Sequence, residues 1–174
     1  AASCPEIFGE RYLEYLYPFA YGREIDREAS RYALPAEMVL AVIREESRFG
    51  ETALSPAGAH GLMQIMPSTG EWIGPKIGWK NVAVEDLQDP DFNISAGCWY
   101  LRFLLDRADD SIVAALASYN AGHGRMKKWK KKFRPRSDPL AALELIGPNE
   151  NRRYVRRVLD TMSAYSRQAT DSFQ

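Results

Sequence analysis

The chain is expected to be a mainly helical, single globular domain with little or no sheet and a groove on one side. Three observations carry that expectation. Apolar residues recur with helical spacing along nearly the whole sequence, no segment alternates well enough to read as a strand, and one irregular excursion over 51–91 interrupts the helices. At 174 residues the chain is long enough for one domain with a real core.

The first helix is expected over 19–32, after Pro18. Pro35 fits the first turn of a second, where a missing N–H costs nothing. That second helix carries Met38, Val39, Leu40, Ala41, Val42 and Ile43, apolar on most sides, so it belongs inside the domain, with Gly50 as its stop. The excursion is punctuated by Pro56, Gly58, Gly61, Pro67, Gly70, Gly74, Pro75, Gly78 and Pro90, leaving room for short helices near 68–73 and 84–87. An irregular stretch of that length inside a compact domain is more often functional than idle. After Asp91, Ile94, Cys98, Leu101, Leu104 and Leu105 share one helical face. Ser111 reads as the cap of a helix through Ile112, Ala115 and Leu116 that stops near Gly122 and Gly124. A short helix is expected over 140–146, and the last begins near Asn149 and buries Tyr154, Val155, Val158, Leu159 and Met162.

Hydrophobic residues make up 45% and charged residues 26% of the chain, and its formal net charge is zero, so the whole molecule is not electrostatically committed to nucleic acid or an anionic membrane. No apolar run approaches the roughly 20 residues that span a bilayer. No apolar leader precedes Ala1-Ala2-Ser3-Cys4. A removed export signal and a piece of a longer protein both fit that start. Cys4 and Cys98 match no metal-ligand spacing. They can be bridged, be free with Cys98 buried as a small hydrophobe, or, for Cys4, mark a lipid attachment site. The basic run 125–136 surrounds Trp129 and Phe133 with lysines and arginines. It reads as a solvated helix docking its aromatics, or as a surface that steers towards an anionic polymer or membrane. No nucleic-acid fold signature accompanies it, so no nucleic-acid partner is expected.

One carboxyl pair stands out chemically. Glu46 falls on the helical face of Val39, Val42 and Ile43, which places its carboxyl at the rim of an apolar stripe. Desolvation there raises a carboxyl's pKa towards the range of a general acid. Glu45 lies roughly 100° around the same helix, over Met38 and Ala41, and periodicity alone does not separate the two.

The order of four short motifs does separate them. Glu46-Ser47 after an apolar helix, the segment Ser55-Pro56 through Gly58 leading to Gly61-Leu62-Met63-Gln64-Ile65-Met66-Pro67, Ala117-Ser118-Tyr119-Asn120-Ala121-Gly122, and Glu150-Asn151-Arg152-Arg153-Tyr154-Val155 together resemble the catalytic domain of the soluble lytic transglycosylases. That resemblance spans about 18–165 and implies a lysozyme-like fold. It places a catalytic domain over 18–168, between an N-terminal extension, 1–17, and a C-terminal tail, 169–174. It also implies cleavage of peptidoglycan glycan strands at the MurNAc-β-1,4-GlcNAc bond without water, leaving a 1,6-anhydro end. Glu46 would act first as acid and then as base, and Ser55, Gln64, Met66, Tyr119, Asn120, Glu150 and Tyr154 would contact substrate. Physically, Gln64 offers two donors and an acceptor, Met63 and Met66 flexible apolar surfaces, and Tyr119 and Asn120 a phenol and an amide. Glu150 can touch substrate or cap its own helix. No metal and no organic cofactor are implied, the expected state is a monomer, and the expected location is the bacterial envelope, with attachment through Cys4 or further domains open.

The chain departs from the family pattern in Glu45, where glutamine is common, and in His60, Ser118 and His123. Most glycosidases use two carboxylates. Glu45, Glu51, Glu85 and Asp86 are near enough in sequence to Glu46 to be second-acid candidates. A goose-type lysozyme hydrolysing the same bond and a non-catalytic wall-binding module are the rival readings.

Overall fold

The computed structural model describes residues 21–122, 143, 144, 146 and 150–171, with side chains up to 167. The expectations for Cys4, His123, the basic run 125–136 and most of 140–146 fall outside those residues, whereas the first helix starts at Gly22 and not at residue 19, with Tyr21 ahead of it in left-handed backbone (φ 60°). Six α-helices are present among the described residues: α1 Gly22–Arg31, α2 Ala36–Ser47, α3 Pro67–Ile77, α4 Pro90–Arg107, α5 Ile112–Ala121 and α6 Glu150–Asp171. A 3-10 turn, Glu85–Gln88, lies between α3 and α4. Sheet structure among the described residues is limited to isolated bridges that join Leu54 to His60 and His60 to Ile65.

α2 is buried from Met38 through Ile43, as its uninterrupted apolar run requires, and it packs most extensively against α6. α4 is the other central helix. Asp89 caps it by accepting from the Phe92 N–H at 2.9 Å, with Pro90 in the first turn. Its predicted face, Ile94, Cys98, Leu101, Leu104 and Leu105, is buried, and Cys98 is a free, buried thiol. α1 rests on α2 and α4 and carries a buried carboxylate, Glu28, which pairs with Arg27 at 2.9 Å and Arg31 at 3.5 Å. α5 lies between α4 and α6; Ser111 caps it as expected, and Gly122 closes it.

Two further boundaries differ from the sequence reading, each for a physical reason. α2 does not run to Gly50: it ends at Ser47, with Arg48 in the left-handed conformation (φ 53°) and Phe49 following it there (φ 66°). Left-handed backbone costs a side-chain-bearing residue about 1–2 kcal/mol, so the chain directly after Glu46 is held under strain. α3 runs to Ile77, through the Gly and Pro that looked like breaks. Gly70 and Gly74 are one turn apart, and a Cβ on them would meet Leu87 Cδ2 at 2.5 Å and Val82 Cγ2 at 2.2 Å. These glycines let the following loop approach the helix; they do not end it.

Candidate active site

The excursion after α2 is organised by hydrogen bonds to its own backbone and to α4. Ser55 Oγ accepts from the Ala59 N–H at 3.0 Å, and Ser55 N donates to Ala59 O at 2.9 Å. Asn93, fully buried on α4, holds three further points. Its Oδ1 accepts from Met63 N at 2.6 Å, and its Nδ2 donates to His60 O at 3.0 Å and to Leu87 O at 2.6 Å. The loop bearing Gln64 and Met66 is thereby bolted to the core.

This packing leaves a groove of about 520 Å³ lined by residues of all four motifs. Seven of the eight predicted site residues line it: Glu46, Ser55, Gln64, Met66, Tyr119, Asn120 and Glu150. Tyr154 does not. It is buried at 3% exposure and donates its phenolic O–H to Glu46 Oε1 at 2.7 Å, so it meets the acid from the core side.

The polar groups do not all face the groove as free valences. Gln64 sits in left-handed backbone (φ 51°), and its amide nitrogen donates to Ala53 O at 3.1 Å and to Gly61 O at 2.9 Å. Both amide hydrogens are used within the protein, which leaves the carbonyl oxygen as the group Gln64 can offer. Tyr119 likewise spends its O–H on Met63 O at 2.8 Å. Asn120 accepts from Asn151 Nδ2 at 3.0 Å, so its own NH₂ is left to face outward. Met63 is fully buried and packs; Met66 is 38% exposed at the groove.

Glu46 is the group whose chemistry is altered. Burial against the apolar end of α2 lifts its carboxyl from the ordinary carboxylate value to about 7. The Tyr154 hydrogen bond opposes that rise, the Glu45 charge adds to it, and Arg157 offsets it. Burial and the neighbouring Glu46 charge push both Tyr119 and Tyr154 well above the usual phenol range, so the two phenols stay protonated donors. A carboxyl poised near neutrality, gripped by a phenol and open to a groove, can give up a proton and take one back.

The acids weighed as second carboxylates are committed elsewhere or lie off the groove. Glu45 pairs with Arg157 at 2.9 Å and accepts from Thr161 at 3.2 Å. Glu51 accepts from Tyr21, Asp86 caps Ala83 N at 2.8 Å, and Glu85 is exposed on the 3-10 turn. Glu150, on the first residue of α6, shares the groove with Glu46.

Sequence reasoning gave no role to Asn93, Asn151, Tyr100 or Thr69. Tyr100 and Thr69 line the groove, and Asn151 ties Asn120 to Ala117 O at 2.9 Å. Asn93 carried a usable signal, because a lone amide on the apolar side of a helix must find buried partners.

Residues 23–140 match the family described as the Transglycosylase SLT domain. The soluble lytic murein transglycosylase of Escherichia coli K12 is 34% identical over 149 residues, which cover 85% of this chain and 23% of that protein. Its counterpart in Salmonella typhimurium is 33% identical over 154 residues, with the same coverage. The chain thus spans about a quarter of the length of the curated relatives it matches. An inactive mutant of the lytic transglycosylase Slt from Pseudomonas aeruginosa superposes with a TM-score of 0.81 at 34% identity, over 91% of this chain and 26% of that one. The 70-kDa soluble lytic transglycosylase in complex with bulgecin A gives 0.81 at 33% identity, again over 91% and 26%. With the family match across more than half of its length and these structural neighbours beside the groove geometry, the chain belongs to the SLT transglycosylase family.

Proposed function

We propose that this chain is a peptidoglycan lytic transglycosylase domain in which Glu46 is the acid and then the base. The carrying observation is the Glu46 carboxyl, held at 2.7 Å by Tyr154 and lifted by burial to about 7 at the edge of an open groove. Protonated Glu46 gives its proton to the glycosidic oxygen between MurNAc and GlcNAc, and the C1–O bond breaks as the GlcNAc hydroxyl leaves. The resulting carboxylate takes the proton of the C6 hydroxyl of the same MurNAc, and O6 bonds to C1. The acid is restored, and no water is consumed.

The other lining residues serve the substrate. Gln64 offers a carbonyl acceptor and Asn120 an NH₂ donor, Ser55 a hydroxyl, and Met66 an apolar surface; Tyr154 and Tyr119 hold the acid and its loop. The names of the relatives, which act on murein, support peptidoglycan as the substrate and the bacterial envelope as the place of action. We assign 18–168 to the catalytic domain, with 1–17 and 169–174 as an extension and a tail.

Digestion of purified sacculi followed by mass spectrometry tests the reading: 1,6-anhydromuramyl ends are expected from the native chain and at least roughly a hundredfold fewer in the same time from Glu46→Gln. One observation favours hydrolysis, the presence of Glu150 in the same groove, where it could activate a water. Digestion in ¹⁸O-labelled water separates the two reactions, since hydrolysis places the label in reducing ends and the transglycosylase reaction places it nowhere.

A further inference from the structure

Glu45 and Glu46 follow one another in the last turn of α2, and α6 holds both. Tyr154 donates to Glu46 at 2.7 Å, Arg157 Nε donates to Glu45 Oε2 at 2.9 Å, and Thr161 Oγ1 donates to Glu45 Oε1 at 3.2 Å. Tyr154, Arg157 and Thr161 stand at i, i+3 and i+7, so they form one stripe along α6. Three donors on one helix thus match two consecutive carboxylates on another, across the most extensive helix contact among the described residues.

The Glu45–Arg157 pair adds little to stability, because Arg157 is half exposed and water screens such pairs. Its consequence lies in what it does to the residue beside it. We propose that Arg157, with Thr161 on the second oxygen, is a positioning residue for Glu46: it pins Glu45 against α6 and cancels the charge of that neighbour, so that Glu46 alone faces the groove. This rests on the reading of Glu46 as the reacting acid and adds the device that sets its working pH. The groups around Glu46 are Glu45 on its own helix, Tyr154 and Arg157 on α6, Tyr119 on α5, and Glu150 lining the same groove. Glu45 and Arg157 act on Glu46 in opposite senses, upward and downward.

Opposite signs give a test that a merely structural role would not pass. The Glu46 carboxyl is titrated by ¹³C NMR in the intact chain, and the pH profile of kcat/KM is recorded alongside it. The set comprises wild type, Arg157→Gln, Glu45→Gln, their double variant and Arg157→Lys. Arg157→Gln is expected to raise the titration midpoint by about half a pH unit and Glu45→Gln to lower it by about as much. The double variant should return close to wild type, and Arg157→Lys, which keeps the charge, should stay there. Shifts of the same sign, or no shift in either single variant, would overturn the proposal. The NMR readout does not depend on activity, so a chain with no lytic product still reports on the pair. Conversely, anhydro products together with unmoved midpoints would sink the pair's role and leave the catalytic reading standing.

Discussion

Glu46 is where the molecule gives up stability for chemistry. The folded chain binds that proton more tightly than the unfolded chain, because the carboxyl lies at about 7 when folded and near 4.3 when unfolded. Stability therefore falls as pH rises between those two values and stays lowered above them, by roughly 4 kcal/mol at most. Glu46→Gln removes the penalty. It is expected to unfold at higher urea than wild type at pH 8 and to match it at pH 4, while its rate on sacculi drops by roughly 10²–10⁴-fold. Equal urea midpoints at pH 8 would refute the desolvated acid. Tyr154 acts in the other direction on the same group, since its hydrogen bond favours the carboxylate. Tyr154→Phe should move the fall in rate to higher pH and, by no longer stabilising the carboxylate formed after proton transfer, slow turnover by roughly tenfold at pH 6. A pH–rate profile of the two proteins checks both effects. The acid was legible in the sequence through the order of the four motifs, since the apolar stripe alone did not separate Glu46 from Glu45. Tyr154 was legible only as a site residue implied by the resemblance and not as the acid's partner, because 108 residues separate the two and no local pattern encodes that meeting.

At the scale of elements, the site depends on one polar residue inside α4. Asn93 makes three hydrogen bonds with no exposure to water, to the backbone of the Gln64 loop and to the 3-10 turn. Asn93→Ala leaves Met63 N–H and Leu87 C=O to find other partners, each at about 1–3 kcal/mol if buried and unpaired, while His60 C=O keeps the Ile65 N–H at 2.9 Å. A loss of roughly 3 kcal/mol or more is expected in urea unfolding, with activity falling in the surviving folded fraction because Gln64 and Met66 lose their mooring. A loss below about 1 kcal/mol would show that the loop holds itself. The helices around this loop were readable, since α2 follows from its apolar run after Pro35, α4 from its apolar face and α5 from the Ser111 cap. The loop was readable only as irregular. Its glycines at 70 and 74 are close-approach positions within α3, and sequence spacing cannot tell a glycine that ends a helix from one that admits a neighbour.

On the scale of the whole molecule, the acid and its support come from opposite ends of the chain. The family match stops at residue 140, yet α6 begins at Glu150 and brings Tyr154 and Arg157 to α2. The same helix buries Tyr154, Val155, Val158 and Tyr165 in the core. At about 1.5–3 kcal/mol for each large apolar side chain, these four contribute roughly 6–12 kcal/mol, as much as the whole stability of a typical domain. A chain ended at residue 149 is therefore expected to lose its cooperative thermal transition as well as its lytic activity. Circular dichroism melts and sacculus digestion of the shortened and full chains decide this. A shortened chain that melted cooperatively but was inactive would assign α6 to the site alone. One that melted cooperatively and still released anhydro ends would mean that neither Tyr154 nor Arg157 is needed to hold Glu46 ready.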